Sequence, residues 1–170
     1  LCEIDSLEEL HLKGNNIIRL PENFINLSGL MSLDLEQNKL VELPKEIGNL
    51  VNMVQLEIRD NELTEIPSSI GGMQKMVYFN AGGNQISKLP KELFTIKTLT
   101  DLELSRNNFK SISEKIGELS NLEYLILENN LLNKLPKSIT ALKKLLILNI
   151  EGNQITELPP EIGQLSNLEI

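Results

Sequence analysis

The chain has 170 residues and a formal net charge of −8 at neutral pH, from 24 acidic and 16 basic side chains. This acidic balance argues against a nucleic-acid partner, because phosphate binding requires clustered Lys and Arg. The one cysteine, Cys2, excludes a disulfide framework and favours a reducing compartment, so we expect a cytoplasmic protein. The sequence shows no signal peptide and no apolar run of membrane-spanning length, so we expect no membrane insertion.

A unit of 23 residues repeats along the whole chain without insertion. Seven full repeats begin at Leu7, and an asparagine follows eight residues after each first position, at Asn15, Asn38, Asn61, Asn84, Asn107, Asn130 and Asn153. Leu1 and Ile4 are already in phase with this period, and residues 168–170 start an eighth unit. We therefore expect one array over residues 1–170, with partial repeats at both ends, that is a piece of a longer chain.

Each position of the unit predicts a local structure. In the sixth repeat, which begins at Leu122, the alternation of apolar and polar residues predicts a short strand with one buried face. Asn130 ends that strand, and its amide should bond main-chain groups in a buried ladder of equivalent asparagines. The step at 135–136, Leu-Pro, stops sheet pairing, and the spacing P-x-x-I-x-x-L then predicts a helical segment with Pro at its first position. One unit cannot bury its apolar side alone, so the repeats must stack.

The first three repeats are regular, and repeat four departs most from the pattern. Phe79 and Ala81 replace the two strand leucines there, which is either a volume-conserving exchange in the core or part of a binding site. The pair 82–83, Gly-Gly, would leave the surface bare beside Tyr78, forming a recess for a partner. Repeat five has Ser113 where Pro is expected, which should loosen the convex turn. Repeats six and seven return to the pattern.

The outward strand positions should form columns, because equivalent positions of neighbouring parallel strands lie about 5 Å apart. Four such columns carry three basic residues and nine acidic ones, namely Glu9, Asp34, Glu36, Glu57, Asp60, Asp101, Glu103, Glu128 and Glu151. This acidic concave face either steers a basic partner surface or keeps the solenoid soluble. Asp34, Glu57 and Glu103 are the acidic candidates for partner contact.

Apolar residues interrupt the polar columns near the C-terminal end. Tyr124, Ile126 and Ile147 should be neighbours on the concave sheet, with Leu131 at its margin and Tyr78 further along the array. Clustered exposed apolar and aromatic side chains mark interaction sites more often than scattered ones do. These five residues are the apolar candidates for a partner or an intramolecular contact, and the alternative is a neutral surface.

Catalysis has little support in the residues. His11, Ser32 and Asp34 share one face of adjacent strands, but an open sheet offers no pocket and no oxyanion donors. The nearby carboxylates at 34, 36 and 57 lack the glycine-bearing loop of a calcium site. We predict no catalytic residue, no metal ligand, no cofactor and no small-molecule substrate.

The unit L-x-x-L-x-L-x-x-N-x-L-x-x-L-P-x-x-I-x-x-L, as at residues 30–50, resembles the Ras-group leucine-rich repeats. These occur in intracellular scaffolds, in Scribble- and Erbin-like polarity proteins, in plant Ras-group-related proteins and in bacterial arrays. The resemblance implies an α/β solenoid curved as a right-handed horseshoe, with a parallel concave sheet and short helical or 3-10 segments on the convex side. It implies a non-catalytic scaffold or adaptor that binds a protein on its concave face.

Two other functions remain open at this point. The array could be the recognition or regulatory part of a larger signalling enzyme, such as a kinase, phosphatase, cyclase or GTPase. It could also be a structural component of a large assembly. The residues that the repeats share are core residues, which do not distinguish among these functions.

Overall fold

A computed structural model describes residues 6–169 of the chain, so Cys2, the partial repeat at 1–5 and Ile170 lie outside the described residues. Seven strands form one open sheet in chain order, and every strand pairs in parallel with the next. The strands are β1 (Glu9–His11), β2 (Ser32–Asp34), β3 (Gln55–Glu57), β4 (Tyr78–Asn80), β5 (Asp101–Glu103), β6 (Tyr124–Ile126) and β7 (Ile147–Asn149). This arrangement confirms the predicted solenoid with one parallel sheet.

The sheet keeps a constant register from end to end. Each strand residue pairs with the residue 23 positions later, as Leu10 does with Leu33 and Leu33 with Leu56. The middle residue of each strand points into the core, and its two neighbours point outward because side chains alternate along a strand. The two outward columns that cross the strands are therefore formed as predicted.

Among residues 6–169, seven short 3-10 helices cover the opposite side of the solenoid. They are η1 (Glu22–Asn26), η2 (Ile47–Asn49), η3 (Ser68–Gly72), η4 (Lys91–Thr95), η5 (Glu114–Glu118), η6 (Lys137–Ala141) and η7 (Pro160–Gln164). Within the described range of 6–169, no helix is long and apolar enough to cross a membrane.

Proline precedes most of these helices rather than starting them. It is the N-cap of five helices, with φ between −52° and −67°, at Pro21, Pro67, Pro90, Pro136 and Pro159. The ring fixes φ in this range and so orients the chain before the helix begins. Ser113 adopts the same conformation, with φ −62° and ψ 144°, and its side chain accepts a hydrogen bond from the Lys115 N–H. The prediction of a looser turn at Ser113 is therefore wrong, because a serine cap takes the place of the ring.

The core is one continuous stack of leucines and their substitutes. Phe79 and Ala81 are both fully buried in it, so the exchange of strand leucines in repeat four is a volume adjustment inside the core. Packing of this kind is sensitive to shape, and a buried Leu→Ala change typically destabilises a protein by about 2–5 kcal/mol.

An asparagine ladder runs along the solenoid as predicted and is buried from Asn38 to Asn130, whereas Asn153 is partly buried and the prediction of a buried amide is wrong for the exposed Asn15. Asn84 is 8% exposed, and its Nδ2 donates to the carbonyls of Ile58, Ala81 and Gly82 at 3.0–3.1 Å. Its Oδ1 accepts from the Leu63 N–H at 3.0 Å. The equivalent bonds recur in the neighbouring repeats, so each amide joins its own strand end to the preceding repeat.

Candidate functional site on the concave face

The apolar candidates of repeats six and seven lie together on the concave face. Tyr124 of β6 pairs with Ile147 of β7, and Ile126 follows Tyr124 on the same side of β6. All three side chains are partly exposed although they stand on strands. We call these three residues the apolar patch. Their outward direction follows from the strand alternation, because the buried Leu125 lies between the two outward residues of β6.

Leu131 lies outside the apolar patch. It is 38% exposed, but it follows the turn at Asn130. The polar residues Glu128 and Asn129 separate it in sequence from Ile126. The structure therefore places Leu131 beyond the end of the strand, on the margin that the sequence predicted.

Glu57 of β3 and Tyr78 of β4 form a polar network near the middle of the face. The Tyr78 hydroxyl donates to Oε2 of Glu57 at 3.1 Å and accepts from Nδ2 of Asn80 at 3.2 Å. Oε1 of Glu57 is buried and has no hydrogen-bond partner among the described residues. Burial raises the pKa of Glu57 to about 7, and the nearby carboxylates of Glu36 and Asp34 add to the rise.

This network changes the expected roles of both residues. Glu57 is only partly ionised at neutral pH, so it contributes less than a full charge to the acidic face. Burial also raises the pKa of Tyr78 to about 12, which keeps its hydroxyl protonated and able to donate. Tyr78 is therefore committed to intramolecular hydrogen bonds rather than standing free for a partner.

Gly82 and Gly83 do not form the predicted recess beside Tyr78. Gly82 is buried beneath the side chains of Asn80, Glu103 and Ser105, and its N–H donates to Oδ1 of Asn80 at 2.9 Å. Gly83 lies under an ion pair in which the Arg106 guanidinium reaches back two repeats to Asp60 at 2.6 Å. The glycine prediction was wrong because neighbouring side chains fill the space that the missing Cβ atoms leave.

The residue equivalent to Gly83 has a left-handed backbone conformation in every repeat. Among residues 6–169, positive φ occurs at seven residues with values of 51–71°, namely Gly14, Gln37, Asp60, Gly83, Arg106, Asn129 and Gly152. Four of these are not glycine, so the turn tolerates side chains. At Gly83, however, a Cβ would overlap the Asp60 carboxylate. This glycine therefore makes room for the ion pair.

Two of the acidic candidates also have structural roles. Oδ1 of Asp34 accepts from the Glu36 N–H at 2.9 Å, and Oε1 of Glu103 accepts from the Ser105 N–H at 3.0 Å. These bonds close the strand ends in the way that capping side chains do. The sequence signal for this role is the Asp, Asn or Glu that recurs at the last residue of a strand, because its side chain accepts from the main-chain N–H two residues later.

The basic residues of the concave face are all paired with its acids. Lys13 pairs with Glu36, and Arg59 and Arg106 both contact Asp60, Arg59 at 3.4 Å. The hydrogen bond to Glu36 raises the pKa of Lys13 above its ordinary value. The remaining acids of the four columns keep the negative sign of the face.

His11, Ser32 and Asp34 share one face of β1 and β2, as predicted from the sequence, but His11 and Asp34 contact other residues. His11 pairs with Asp34 in the sheet register, but its Nε2 lies 3.5 Å from Oε2 of Glu9. Among the described residues, no hydrogen bond joins His11, Ser32 and Asp34 to one another. The Oδ1 atom of Asp34 is bonded to the Glu36 main chain instead.

A second apolar feature escaped the sequence analysis. Met31 and Val77 are 41% and 37% exposed, and Val54 between them is partly exposed. The Val54 N–H donates to the Met31 carbonyl and the Val77 N–H to the Val54 carbonyl, so the three stack as an edge stripe. They occupy the second position of each unit, one residue before the first outward column. Including this second position of the unit among the columns would have predicted the edge stripe.

Comparison with known families identifies the repeat. A family described as "leucine-rich repeat region" matches residues 32–123 and 105–170, and a single leucine-rich repeat matches residues 6–27. The chain belongs to the leucine-rich repeat family. No curated protein matches this leucine-rich repeat chain in sequence.

Solved structures share the leucine-rich repeat fold over nearly the whole chain. A leucine-rich repeat protein of Leptospira interrogans is 40% identical with a TM-score of 0.95, covering 98% of this chain and 43% of that one. The Arabidopsis receptor kinase HAESA, in complex with the peptide hormone IDA and a co-receptor, is 35% identical with a TM-score of 0.83, covering 96% and 29%. An internalin of Listeria monocytogenes, at 23% identity and a TM-score of 0.86, shows the fold alone. This chain spans less than half the length of each.

Proposed function

We propose that this leucine-rich repeat chain is a non-catalytic protein-interaction module that holds a protein partner on its concave face at the apolar patch. The observation that carries the proposal is the partial exposure of Tyr124, Ile126 and Ile147 on paired strands. Their outward side chains have no packing role inside the solenoid. Burial against a partner would contribute roughly 1.5–3 kcal/mol for each side chain, with the aromatic ring as an anchor. The HAESA complex supports this proposal, since it shows a chain of similar fold, 35% identical to this one, together with a peptide hormone.

The test starts with quantitative affinity capture from an extract of the organism that encodes the chain. The wild-type chain and the double variant Tyr124→Ala/Ile126→Ser are used in parallel, and a protein retained only by the wild type is purified and titrated. We expect the double variant to lose roughly 100-fold or more in affinity while its melting temperature holds. Unchanged affinity in the double variant would place the partner elsewhere.

The acidic columns support a second part of the proposal, which is steering of a basic partner surface. Acids exceed bases by six on the four concave columns, and the three bases are already paired. Association with the captured partner should therefore slow as salt is added, while dissociation changes little. An on-rate that is indifferent to salt would leave these acids as solubilising groups.

The same site fits the recognition array of a larger signalling protein. The observation that favours this second candidate is the similarity to a receptor kinase chain of which the match covers only 29%. The sequence on either side of residues 1 and 170 tests it. A kinase, phosphatase, cyclase or GTPase domain there would support the regulatory role, and a chain made of repeats alone would favour a scaffold.

A further inference from the structure

Four acidic residues border the apolar patch. On the side of β5, Asp101 pairs directly with Tyr124 and Glu103 pairs with Ile126 in the sheet register. Beyond the C-terminal ends of the strands, Glu128 follows Ile126 by two residues, and Glu151 holds the equivalent position in the next repeat. The patch is therefore an apolar surface with carboxylates along two of its margins.

These carboxylates have no cationic neighbour to neutralise them. Within residues 6–169, none of the four forms an ion pair, whereas the acids near β1–β4 include Glu36 and Asp60, which do. The hydrogen bonds of three of them come from neutral groups, which are the Thr100 hydroxyl, the Ser105 N–H and the side-chain amides of Asn129 and Asn149. Such bonds orient a carboxylate without cancelling its charge. The negative charge beside the patch is therefore available to a partner.

We infer that the partner segment bound here is extended and carries an apolar anchor residue with Lys or Arg two positions away from it. This inference rests on the proposed function, because it assigns the chemistry of the partner at the same patch. The anchor residue packs on Tyr124, Ile126 and Ile147, and the basic side chain reaches the carboxylates of the bordering residues. The occupant is a protein segment, since the charge complementarity and the apolar contact are needed together.

The spacing follows from the geometry of the sheet. Asp101 and Glu103 stand one strand away from the patch, about 4.8 Å along the hydrogen-bonding direction. Glu128 lies two residues beyond Ile126, which is about 6.6 Å along an extended chain. Alternate side chains of an extended segment point to the same face at that same interval of about 6.6 Å. Along the strands, a residue two positions from the anchor therefore meets Glu128. Across the strands the two intervals differ by about 1.8 Å, which the long flexible stem of Lys or Arg can span to reach Asp101 or Glu103.

The charge can be removed without removing the fold contacts. The exchange Glu103→Gln keeps an oxygen that can accept from the Ser105 N–H, and Asp101→Asn keeps one for the Thr100 hydroxyl. The double variant Asp101→Asn/Glu103→Gln thus lowers the negative charge beside the patch by two. The matched control is Asp34→Asn/Glu36→Gln, which removes two charges from the distant end of the same face.

The experiment is a selection from a displayed library of random linear 12-residue peptides on the immobilised wild-type chain, in low salt. Enriched peptides are synthesised and titrated by fluorescence anisotropy against the wild type, the two charge variants and Tyr124→Ala/Ile126→Ser. We expect peptides with an apolar residue and a Lys or Arg two positions away. Their affinity should fall about three- to tenfold in Asp101→Asn/Glu103→Gln and less than about twofold in the control. The patch variant should not bind them.

The outcomes separate this inference from the proposed function. Peptides that need the patch but show no basic residue at that spacing, or that bind Asp101→Asn/Glu103→Gln normally, would overturn the inference and leave the patch as a binding site. Equal losses in both charge variants would also overturn it, because a general electrostatic effect would then be acting. A selection that yields no patch-dependent peptide would count against the inference and the proposed function together.

Discussion

The two ends of the concave face use their polar groups differently. Around β1–β4, polar and charged groups bond one another, as in the Glu57–Tyr78 hydrogen bond and the ion pairs that join Asp60 to Arg106 and Lys13 to Glu36. On β6 and β7 the outward residues are apolar except Asn149, and within residues 6–169 the acids beside them form no ion pair. A partner at the first end must replace existing bonds, whereas a partner at the second end covers apolar side chains that are partly exposed. Charge count alone is therefore a poor guide to where binding occurs.

The largest expected effect is on the free energy of unfolding. It tests whether the buried asparagine ladder differs between the two regions as their outward faces do. Asn61 and Asn130 belong to opposite ends, yet each amide donates to three carbonyls and accepts one N–H. Asn61→Ala and Asn130→Ala should each lower the free energy of unfolding by about 1–3 kcal/mol, because buried main-chain groups lose their partners. Urea denaturation measures both. Asn15→Ala, at an exposed site with two such bonds, is the control and should cost less.

Unequal losses at Asn61 and Asn130, differing by more than about 2 kcal/mol, would show that the interior also changes along the array. The comparison would then concern the whole repeats rather than their outward faces alone.

A smaller effect tests the ion pair over repeat four. Gly83→Ala adds a Cβ that overlaps the Asp60 carboxylate, so that carboxylate must move away from Arg106. Gly14→Ala is the matched control, since Gly14 also has positive φ but has nothing within 4 Å of the added atom. Both variants bear the strain of a left-handed alanine, about 1–2 kcal/mol, and Gly83→Ala should be less stable by up to about 1 kcal/mol more. Thermal unfolding of the two variants measures the difference, and equal melting-temperature shifts would mean that the ion pair adds nothing to stability.

The smallest expected effect concerns Glu57 and pH. Its folded pKa of about 7 lies above the ordinary 4.5, so between these values the unfolded chain releases a proton that the folded chain keeps. Stability therefore falls as pH rises through this window and is level on either side of it. Glu57→Gln keeps an acceptor for Tyr78 and should raise the melting temperature at pH 8 relative to wild type, with little change at pH 4.

Glu151→Gln removes one exposed negative charge from the same face and serves as the control for that experiment. The assignment of the pH dependence to Glu57 would be contradicted if Glu57→Gln raised the melting temperature equally at pH 4 and pH 8. It would also be contradicted if Glu151→Gln raised the melting temperature in the same way.

The fold was predictable because it depends on residues that recur every 23 positions. The leucines, the asparagine ladder and the register at Leu33 and Leu56 all follow from one unit, since a stacked repeat has one way to bury its apolar side. The 3-10 geometry of the helices and the capping by Ser113 depend on hydrogen bonds that the spacing does not specify.

The outward face was only partly predictable, because its contacts join residues of different repeats. The columns correctly brought Tyr124 beside Ile147, since that neighbour relation follows from the register. The pairing of Arg106 with Asp60 spans 46 residues and skips a repeat, so a column pattern does not reveal it. The raised pKa of Glu57 depends on burial around a half-exposed site, which composition does not show.

The central claim is that the partner is held by the apolar patch and not by the acidic groups around β2 and β3. The most direct test is the dissociation constant of one purified partner, measured in one buffer for two double variants. Tyr124→Ala/Ile126→Ser should weaken binding by roughly 100-fold or more, because two buried side chains are lost. Asp34→Asn/Glu57→Gln should weaken it less than about fivefold, because both residues lie on β2 and β3, away from the apolar patch, and act on the partner only through their charge. A large loss in the second variant with little change in the first would contradict the account.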